Sequence, residues 1–145
     1  MDSIELTHGR KALDWVIKEK KDKFEAFHHV HFGDISLIYG TPGNPLKNFK
    51  GGYGISHIIE KRNHEAIIES DLFFKKFKKH KKIITGEKIA YKLIDVILNG
   101  KVTKTIESKK TVHFSKDGYE AVLSLDFHGN CVSWILTGYK IKKGL

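Results

Sequence analysis

The sequence concentrates its most reactive side chains in residues 51–64, GGYGISHIIEKRNH. The glycines allow the backbone to approach a ligand closely, and the apolar spacing after them predicts a helix that begins near Ile55. On this helix His57, Lys61 and His64 share one face, because they are four and three residues apart. One imidazole could accept the proton of a ribose 2′-hydroxyl, a second could protonate the leaving oxygen, and the cation could stabilise the phosphorane. The spacing fits phosphodiester cleavage, although a surface helix with incidental histidines has the same pattern.

A second basic feature is the lysine run at residues 75–82, in which six of the eight residues are lysine. Such runs usually form a solvated face, but they can also bind phosphates with a salt-sensitive affinity that ignores base sequence. Both alternatives stay open, since the same helix must also bury its phenylalanines. The candidate substrate-binding residues are Tyr53 as a stacking group, Lys50, Arg62, Lys75, Lys78 and His113.

The last predicted strand ends in two hydroxyl side chains, those of Thr137 and Tyr139. Strict alternation places both on the face of Ile135 and opposite Trp134. The hydroxyls could bind a phosphate oxygen, and His113, two strands earlier, could join them. The candidate catalytic residues are therefore His57, Lys61, His64, Thr137 and Tyr139.

Three histidines at positions 28, 29 and 31 raise the question of a metal site. No cluster of cysteines or carboxylates accompanies them apart from Asp34, and a closed site needs ligands from several elements. The single cysteine, Cys131, excludes zinc sites built on two or four cysteines and an intrachain disulfide. The sequence has no G-x-x-x-x-G-K-[ST], HExxH, CxxC or G-x-S-x-G motif. We therefore predict a site without a metal or another cofactor.

The elements that must position these residues fall into helices followed by strands. Leu13, Val16, Ile17, Phe24 and Phe27 predict an N-terminal helix, capped by Thr7, that ends at the histidine cluster. A short strand follows at residues 34–40, and helices are predicted at 55–63, 65–79 and 87–98. The period then changes to two, which predicts strands at 102–107, 110–115, 119–126 and 131–140 with short turns between them. This order predicts an α+β fold, with N-terminal helices packed on a four-stranded antiparallel meander.

Composition indicates a single domain with a strong positive charge. The 145 residues suffice for one core, and the net charge of +9 favours polyanions such as nucleic acid, an acidic protein or an anionic membrane. No apolar run is long enough for a transmembrane helix, and the charged N-terminus lacks an apolar signal core. We expect residues 1–145 to form one domain without a membrane partner. We expect it to act in the cytoplasm, either on its own or after delivery into a target cell as part of a larger protein.

The order of four segments resembles a known nuclease family. The strand GDISLIYG, the helix start GGYGISHIIEKRNH, the meander and the closing SWILTGY are similar to phage-type members of the barnase–EndoU–colicin–RelE-like nucleases. The resemblance covers about residues 30–140. It implies a barnase-like or RelE-like fold and metal-independent ribonuclease action that leaves a 2′,3′-cyclic phosphate.

The resemblance also implies roles for particular residues. The family histidine corresponds to His57, and the terminal hydroxyl corresponds to Thr137, with Tyr139 as its neighbour. Ser56 stands where the family often has a small apolar residue. The second basic position corresponds to Lys61, Arg62 or His64, and the sequence does not choose among them.

Two hypotheses for function follow. The leading one is an RNA endonuclease, with RNA as substrate, that serves as a bacterial or phage toxin domain and needs an acidic immunity or antitoxin protein. The alternative is a non-catalytic nucleic-acid-binding module, which needs only the lysines and aromatic residues such as Phe49 and Tyr53. Charge and spacing permit both RNA and DNA, so the preference for RNA rests on the resemblance.

Overall fold

A computed structural model describes residues 3–80 and 82–141 of the chain. Within these residues the helices are α1 (Ser3–Glu19), α2 (Gly54–Phe77) and α3 (Gly86–Asn99). The strands are β1 (Lys23–His29), β2 (Gly33–Leu37), β3 (Lys101–Ile106), β4 (Thr111–Lys116), β5 (Tyr119–Ser124) and β6 (Ser133–Lys140). The α+β class is confirmed, and so are α3 and the four strands that follow it.

The strands form one six-stranded mixed sheet in the order β1-β2-β6-β5-β4-β3. Strands β3 to β6 are the predicted antiparallel meander. The prediction of a four-stranded antiparallel sheet is nevertheless wrong, because β2 adds to β6 in parallel and β1 pairs with β2. The parallel pairing is short: it joins Ile35 to Ser133 and Ser36 to Trp134. Beyond it β2 ends, and the chain passes through a loop into α2.

Strand β1 occupies residues that the apolar spacing assigned to the N-terminal helix. The helix ends at Glu19, and Lys20 has a left-handed backbone with φ 56°. A register shift between Lys23 and Phe27, with Glu25 at φ 53°, interrupts the alternation of β1. Phe24 and Phe27 are three residues apart in the sequence, a spacing that imitates a helix although both lie in this irregular strand.

The prediction of two helices between residues 55 and 79 is also wrong, since α2 is continuous from Gly54 to Phe77. Inside the fold α3 is the central helix, with Leu93, Ile94, Val96 and Ile97 fully buried. It packs on Val112, Phe114, Ala121, Leu123 and Ile135 from one face of the sheet. Helix α2 adds only Ile55 and Ile58 to this core. No helix among residues 3–80 and 82–141 has the length and apolarity that a membrane span requires.

A second bulge decides which side chains β6 presents on its two faces. Val122 pairs with Thr137, but Leu123 pairs with Ile135, so Leu136 is an extra residue in β6. Ile135 is fully buried, and a Cβ on Gly138 would lie 2.3 Å from the Leu93 side chain, so both face α3. Thr137 and Tyr139 therefore share the opposite face with Trp134, and the strict alternation predicted for this strand is wrong.

His29 at the end of β1 makes stability depend on pH. Its ring is buried, and its Nδ1 accepts hydrogen bonds from the backbone N–H groups of His31 and Phe32 at 3.0 and 3.3 Å. Burial, and then the nearby His31, lower the pKa of His29 below the ordinary value of 6.5. Because the unfolded chain then binds the proton more readily, the free energy of unfolding should fall as pH decreases below about 6.5, by up to about 1.4 kcal/mol per pH unit.

Urea unfolding between pH 5 and pH 8 measures this effect. His29→Asn retains an acceptor for the two N–H groups and does not titrate, so its stability should depend less on pH. His128→Asn, at an exposed position, should keep the slope of the parent protein. Equal slopes for His29→Asn and the parent would contradict the assignment.

Candidate active site

The first turn of α2 is fastened to the end of β2, and this fixes the position of His57. The backbone N–H groups of Ile55 and Ser56 donate to the carbonyls of Ile38 and Tyr39 at 2.8 and 2.9 Å. The Ser56 hydroxyl donates to the same Tyr39 carbonyl. These bonds satisfy donors that a helix N-terminus otherwise leaves unpaired. The histidine one residue later therefore has a rigid backbone.

The ring of His57 is held in one orientation by a backbone carbonyl. Its Nδ1 lies 2.9 Å from the Pro42 oxygen, and the residue is 9 % exposed. A carbonyl oxygen only accepts, so Nδ1 must carry the proton and Nε2 has the lone pair in the neutral ring. A Cβ on Gly52 would lie 2.1 Å from Nδ1 and 2.3 Å from the Pro42 oxygen, so glycine is required there. The carbonyl therefore leaves Nε2 as the nitrogen with the lone pair in the neutral ring.

Arg62 and His64, two of the three candidates for the second basic group, point in different directions from α2. The Arg62 guanidinium lies 5.7 Å from the centre of the Tyr139 ring, on the sheet. His64 is exposed and meets Phe49 edge-on at 5.4 Å, in a groove of about 290 Å³ between α2 and the loop from Pro42. Lys61 is half-buried and one helical turn beyond His57. Arg62 is therefore the candidate that contacts the sheet.

The Arg62 side chain is largely buried, and only some of its hydrogen-bond donors have partners. Its side chain is 10 % exposed, and its Nη1 donates to Glu65. Its Nε is buried and has no hydrogen-bond partner among the described residues. An unpaired buried donor is costly, and a phosphate oxygen would satisfy it.

The sheet face opposite α3 carries a connected polar cluster. Glu120 accepts hydrogen bonds from His113 at 3.1 Å and from the hydroxyl of Tyr139. Glu120 pairs with Tyr139 across β5 and β6. Two residues further along β5, Val122 lies between His113 of β4 and Thr137 of β6. The contacts run from His113 through Glu120 and Tyr139 to Arg62, and so they join the meander to α2.

A comparison with protein families bears on what this arrangement does. A family model described as phage-Barnase-EndoU-ColicinE5/D-RelE like nuclease1 matches residues 26–145. The chain belongs to this nuclease family. The matched range includes β2, α2, α3 and the meander, and thus every candidate site residue. No curated protein and no solved structure gives a significant match.

In this nuclease domain Glu120 is the site residue that sequence reasoning missed. The signal for it was present, because the turn Lys116-Asp117-Gly118 implies a two-residue hairpin loop between residues 116 and 119. Counting back from that turn places residue 113 opposite 122 and residue 115 opposite 120, as observed. His113 and Glu120 are then diagonal neighbours on one face.

Hydrogen bonding determines the charge states of the cluster. Burial alone would raise the pKa of Glu120, but hydrogen bonds from Tyr139 and His113 lower it below its usual value. The same hydrogen bond, then burial and the Glu120 charge, raise the pKa of Tyr139 to about 12. Glu120 is therefore ionised and Tyr139 is a neutral phenol near neutral pH. The Tyr139 proton is directed to Glu120, and Tyr139 thereby positions the carboxylate.

Removing the Tyr139 hydroxyl should raise the pKa of Glu120, because the ionised carboxylate loses a donor. We expect carboxyl titration followed by NMR to show this rise in Tyr139→Phe. Tyr119→Phe removes a hydroxyl from the residue next to Glu120 in β5 and serves as the matched control, with no change expected. A Glu120 titration that is the same in Tyr139→Phe and the parent would exclude the hydrogen bond in solution.

The remaining predicted binding residues are dispersed. Tyr53 meets Trp134 edge-on at 6.0 Å, and exposed Lys50 forms a backbone bridge with Asn44 across the loop before α2. Lys75 lies five helical turns from His57, or about 27 Å at 1.5 Å per residue, and Lys78 follows at the C-cap of α2. Lys81 of the lysine run lies outside the described residues. No group of histidine, cysteine or carboxylate side chains suited to a metal occurs within residues 3–80 and 82–141.

Proposed function

We propose that the domain is a metal-independent endoribonuclease. In this reaction a 2′-hydroxyl attacks the neighbouring phosphorus, the O2′–P bond forms and the P–O5′ bond breaks. The products are a 2′,3′-cyclic phosphate and a 5′-hydroxyl. The observation that carries the proposal is the fixed tautomer of His57, with Nε2 as base, on the helix that also directs Arg62 to the sheet.

The partners of the two imidazoles support opposite roles for them. His57 donates to a neutral carbonyl, so nothing in that bond favours an extra positive charge, and it can take the 2′-hydroxyl proton. His113 contacts the ionised Glu120 at 3.1 Å, and this carboxylate orients its ring. We assign His113 as the acid that protonates the leaving 5′-oxygen. Glu120 and Tyr139 position it.

Cationic groups supply the stabilisation that the phosphorane requires. The unpaired Nε of Arg62 suits an equatorial phosphate oxygen. Lys61 adds positive charge one turn from His57, and the Thr137 hydroxyl could donate to a phosphate oxygen. Tyr53, beside Trp134, offers a ring on which a base can stack.

The distant lysines suggest that the substrate is longer than a few nucleotides. Lys75 and Lys78 are exposed and too far from His57 to contact the same phosphate. They can bind the backbone of an RNA that extends along α2, as exposed Lys50 can on the loop before α2. This arrangement predicts a strong salt dependence for long substrates.

The test is cleavage of a defined RNA in the presence of a chelator, with the ends of the products mapped. We expect 2′,3′-cyclic phosphate and 5′-hydroxyl ends, and no cleavage at a position where the RNA carries a single 2′-deoxy substitution. Equal cleavage of DNA, or a requirement for Mg²⁺, would refute the proposal.

An alternative function is binding of nucleic acid without catalysis. The exposed lysines at the end of α2 favour it, since they lie far from His57. It predicts salt-dependent retention of RNA or DNA with no products in the same assay.

We further propose that the nuclease acts as a toxin in the cytoplasm, where RNA is abundant. Induced expression should stop growth and fragment cellular RNA, whereas His57→Ala should be harmless at the same protein level. Normal growth despite abundant, folded parent protein would refute the toxin role without refuting the nuclease.

A further inference from the structure

The second half of α2 carries apolar side chains that the core of the described structure does not cover. We call residues 65–80 the α2 arm. No residue of α2 after Ile58 is buried. The arm leaves five large apolar side chains between 41 % and 61 % exposed, namely Ile67, Ile68, Leu72, Phe74 and Phe77. Ile68 and Leu72 lie on one side of the helix and Ile67, Phe74 and Phe77 on the other, and this much exposed apolar surface on one short segment marks an interaction surface rather than an ordinary solvent-facing helix.

The contrast with α3 shows that the exposure is specific to the arm. Ile89, Leu93, Ile94 and Ile97 of α3 are buried in the core. The arm has a similar supply of apolar residues within eleven positions, yet none reaches the core. The other large exposed apolar residues of the described chain are mostly dispersed over separate elements, as Ile4, Val30 and Leu46 are.

The charges around the arm define the partner that would fit. Five described lysines lie at its end or just beyond it: Lys75, Lys76, Lys78, Lys79 and Lys82. The arm also carries three acidic residues in its first half, Glu65, Glu69 and Asp71, of which Glu65 is paired with Arg62, and the lysines at its end outnumber them. The segment that follows the arm, including Lys82 and Ile83, lines a cavity of about 550 Å³ with Lys88 and Lys92. The surface is therefore apolar with a positively charged border.

We propose that the α2 arm is the docking surface for an acidic protein partner. The partner would cover the isoleucine, leucine and phenylalanine side chains with its own apolar residues and place carboxylates against the lysines. A second copy of the chain fits poorly, because a symmetric interface would bring the same lysines together. RNA fits the lysines but leaves Ile67, Ile68 and Leu72 uncovered.

The position of the arm also gives the partner a route to control the nuclease. Ile68, Leu72 and Lys75 follow His57 by about three, four and five turns and so lie on its face of α2. A partner seated on this face would displace RNA from Lys75. That consequence rests on the proposed function, whereas the docking itself does not.

The experiment begins with a photo-crosslinking amino acid at position 72 of the full chain, expressed in cells that carry the gene in its natural surroundings. The protein captured there is identified, produced and titrated into the purified chain by calorimetry in the absence of RNA. We expect a protein with net negative charge. Leu72→Ser and the double variant Lys76→Glu/Lys79→Glu should each weaken its Kd by about tenfold or more.

Matched controls make the same chemical changes elsewhere on the surface. Val30→Ser and Lys101→Glu/Lys109→Glu alter exposed residues away from the arm and should leave the Kd unchanged. Capture of a second copy, of RNA alone, of a protein without net negative charge or of nothing would overturn the proposal. So would an acidic partner whose Kd is insensitive to the arm variants. None of these outcomes depends on whether the chain cleaves RNA.

Discussion

Replacing His57 by alanine is expected to reduce RNA cleavage by about 10²- to 10⁴-fold. The reason is the loss of the Nε2 base, which the Pro42 carbonyl holds in one tautomer and one orientation. Initial rates on a defined RNA measure the effect.

A second variant separates catalysis from folding, since His57 is buried. His57→Asn keeps an N–H donor for the Pro42 carbonyl but has no base, so it should fold like the parent and be as inactive as His57→Ala. His64→Ala, at the exposed histidine of the same helix, is the matched control and should retain most of the activity. Near-parental cleavage by folded His57→Asn would refute the assignment of the base.

Replacing Arg62 by methionine is expected to reduce kcat by about 10²- to 10³-fold, with a smaller change in KM. The guanidinium is directed at the sheet, and its buried Nε has no hydrogen-bond partner among residues 3–80 and 82–141. Its contribution should therefore be greatest when charge accumulates on the phosphorane. Single-turnover cleavage at saturating enzyme isolates this step from binding.

The sequence offers an unusually clean control, because Arg10 is its only other arginine. Arg10 is exposed on α1, and Arg10→Met should cleave RNA at the parental rate. Arg62→Lys should recover little activity, since an ammonium cannot present the planar pair of donors. Full activity in Arg62→Lys would show that charge alone suffices, and full activity in Arg62→Met would exclude the role.

Much of the fold could be predicted from periodicity. The change of period at Gly100 located α3 and the four strands of the meander, because α3 and the strands β4 to β6 each bury one face against the same core. Strand β1 could not be found in this way. Its bulge at Glu25 disrupts the alternation on which the prediction depends. Its pairing partner β2 is too short to indicate by itself that a second strand pairs with it.

The candidate site was predicted only in part, for a related reason. His57 was recognisable from its glycine-rich approach, and Gly52 now has a physical role because it admits the Pro42 carbonyl to the ring. The choice among Lys61, Arg62 and His64 required the direction of α2 relative to β6. Placing Glu120 beside both His113 and Tyr139 required the register of two hairpins. Predicting the orientation of Thr137 and Tyr139 required knowledge of the bulge at Leu136.

The sequence by itself determined the nuclease family, the α+β class and the meander, and it singled out His57 as a candidate. These depend on local patterns: glycines before a helix, side chains that alternate along strands, and a motif order that spans most of the chain. Only the tertiary structure decided which nitrogen of His57 carries the proton in the neutral ring, that Arg62 reaches Tyr139, and that the Tyr139 hydroxyl donates to Glu120. Each of these is a contact between elements distant in sequence, and its geometry is set by packing and register that no local pattern encodes.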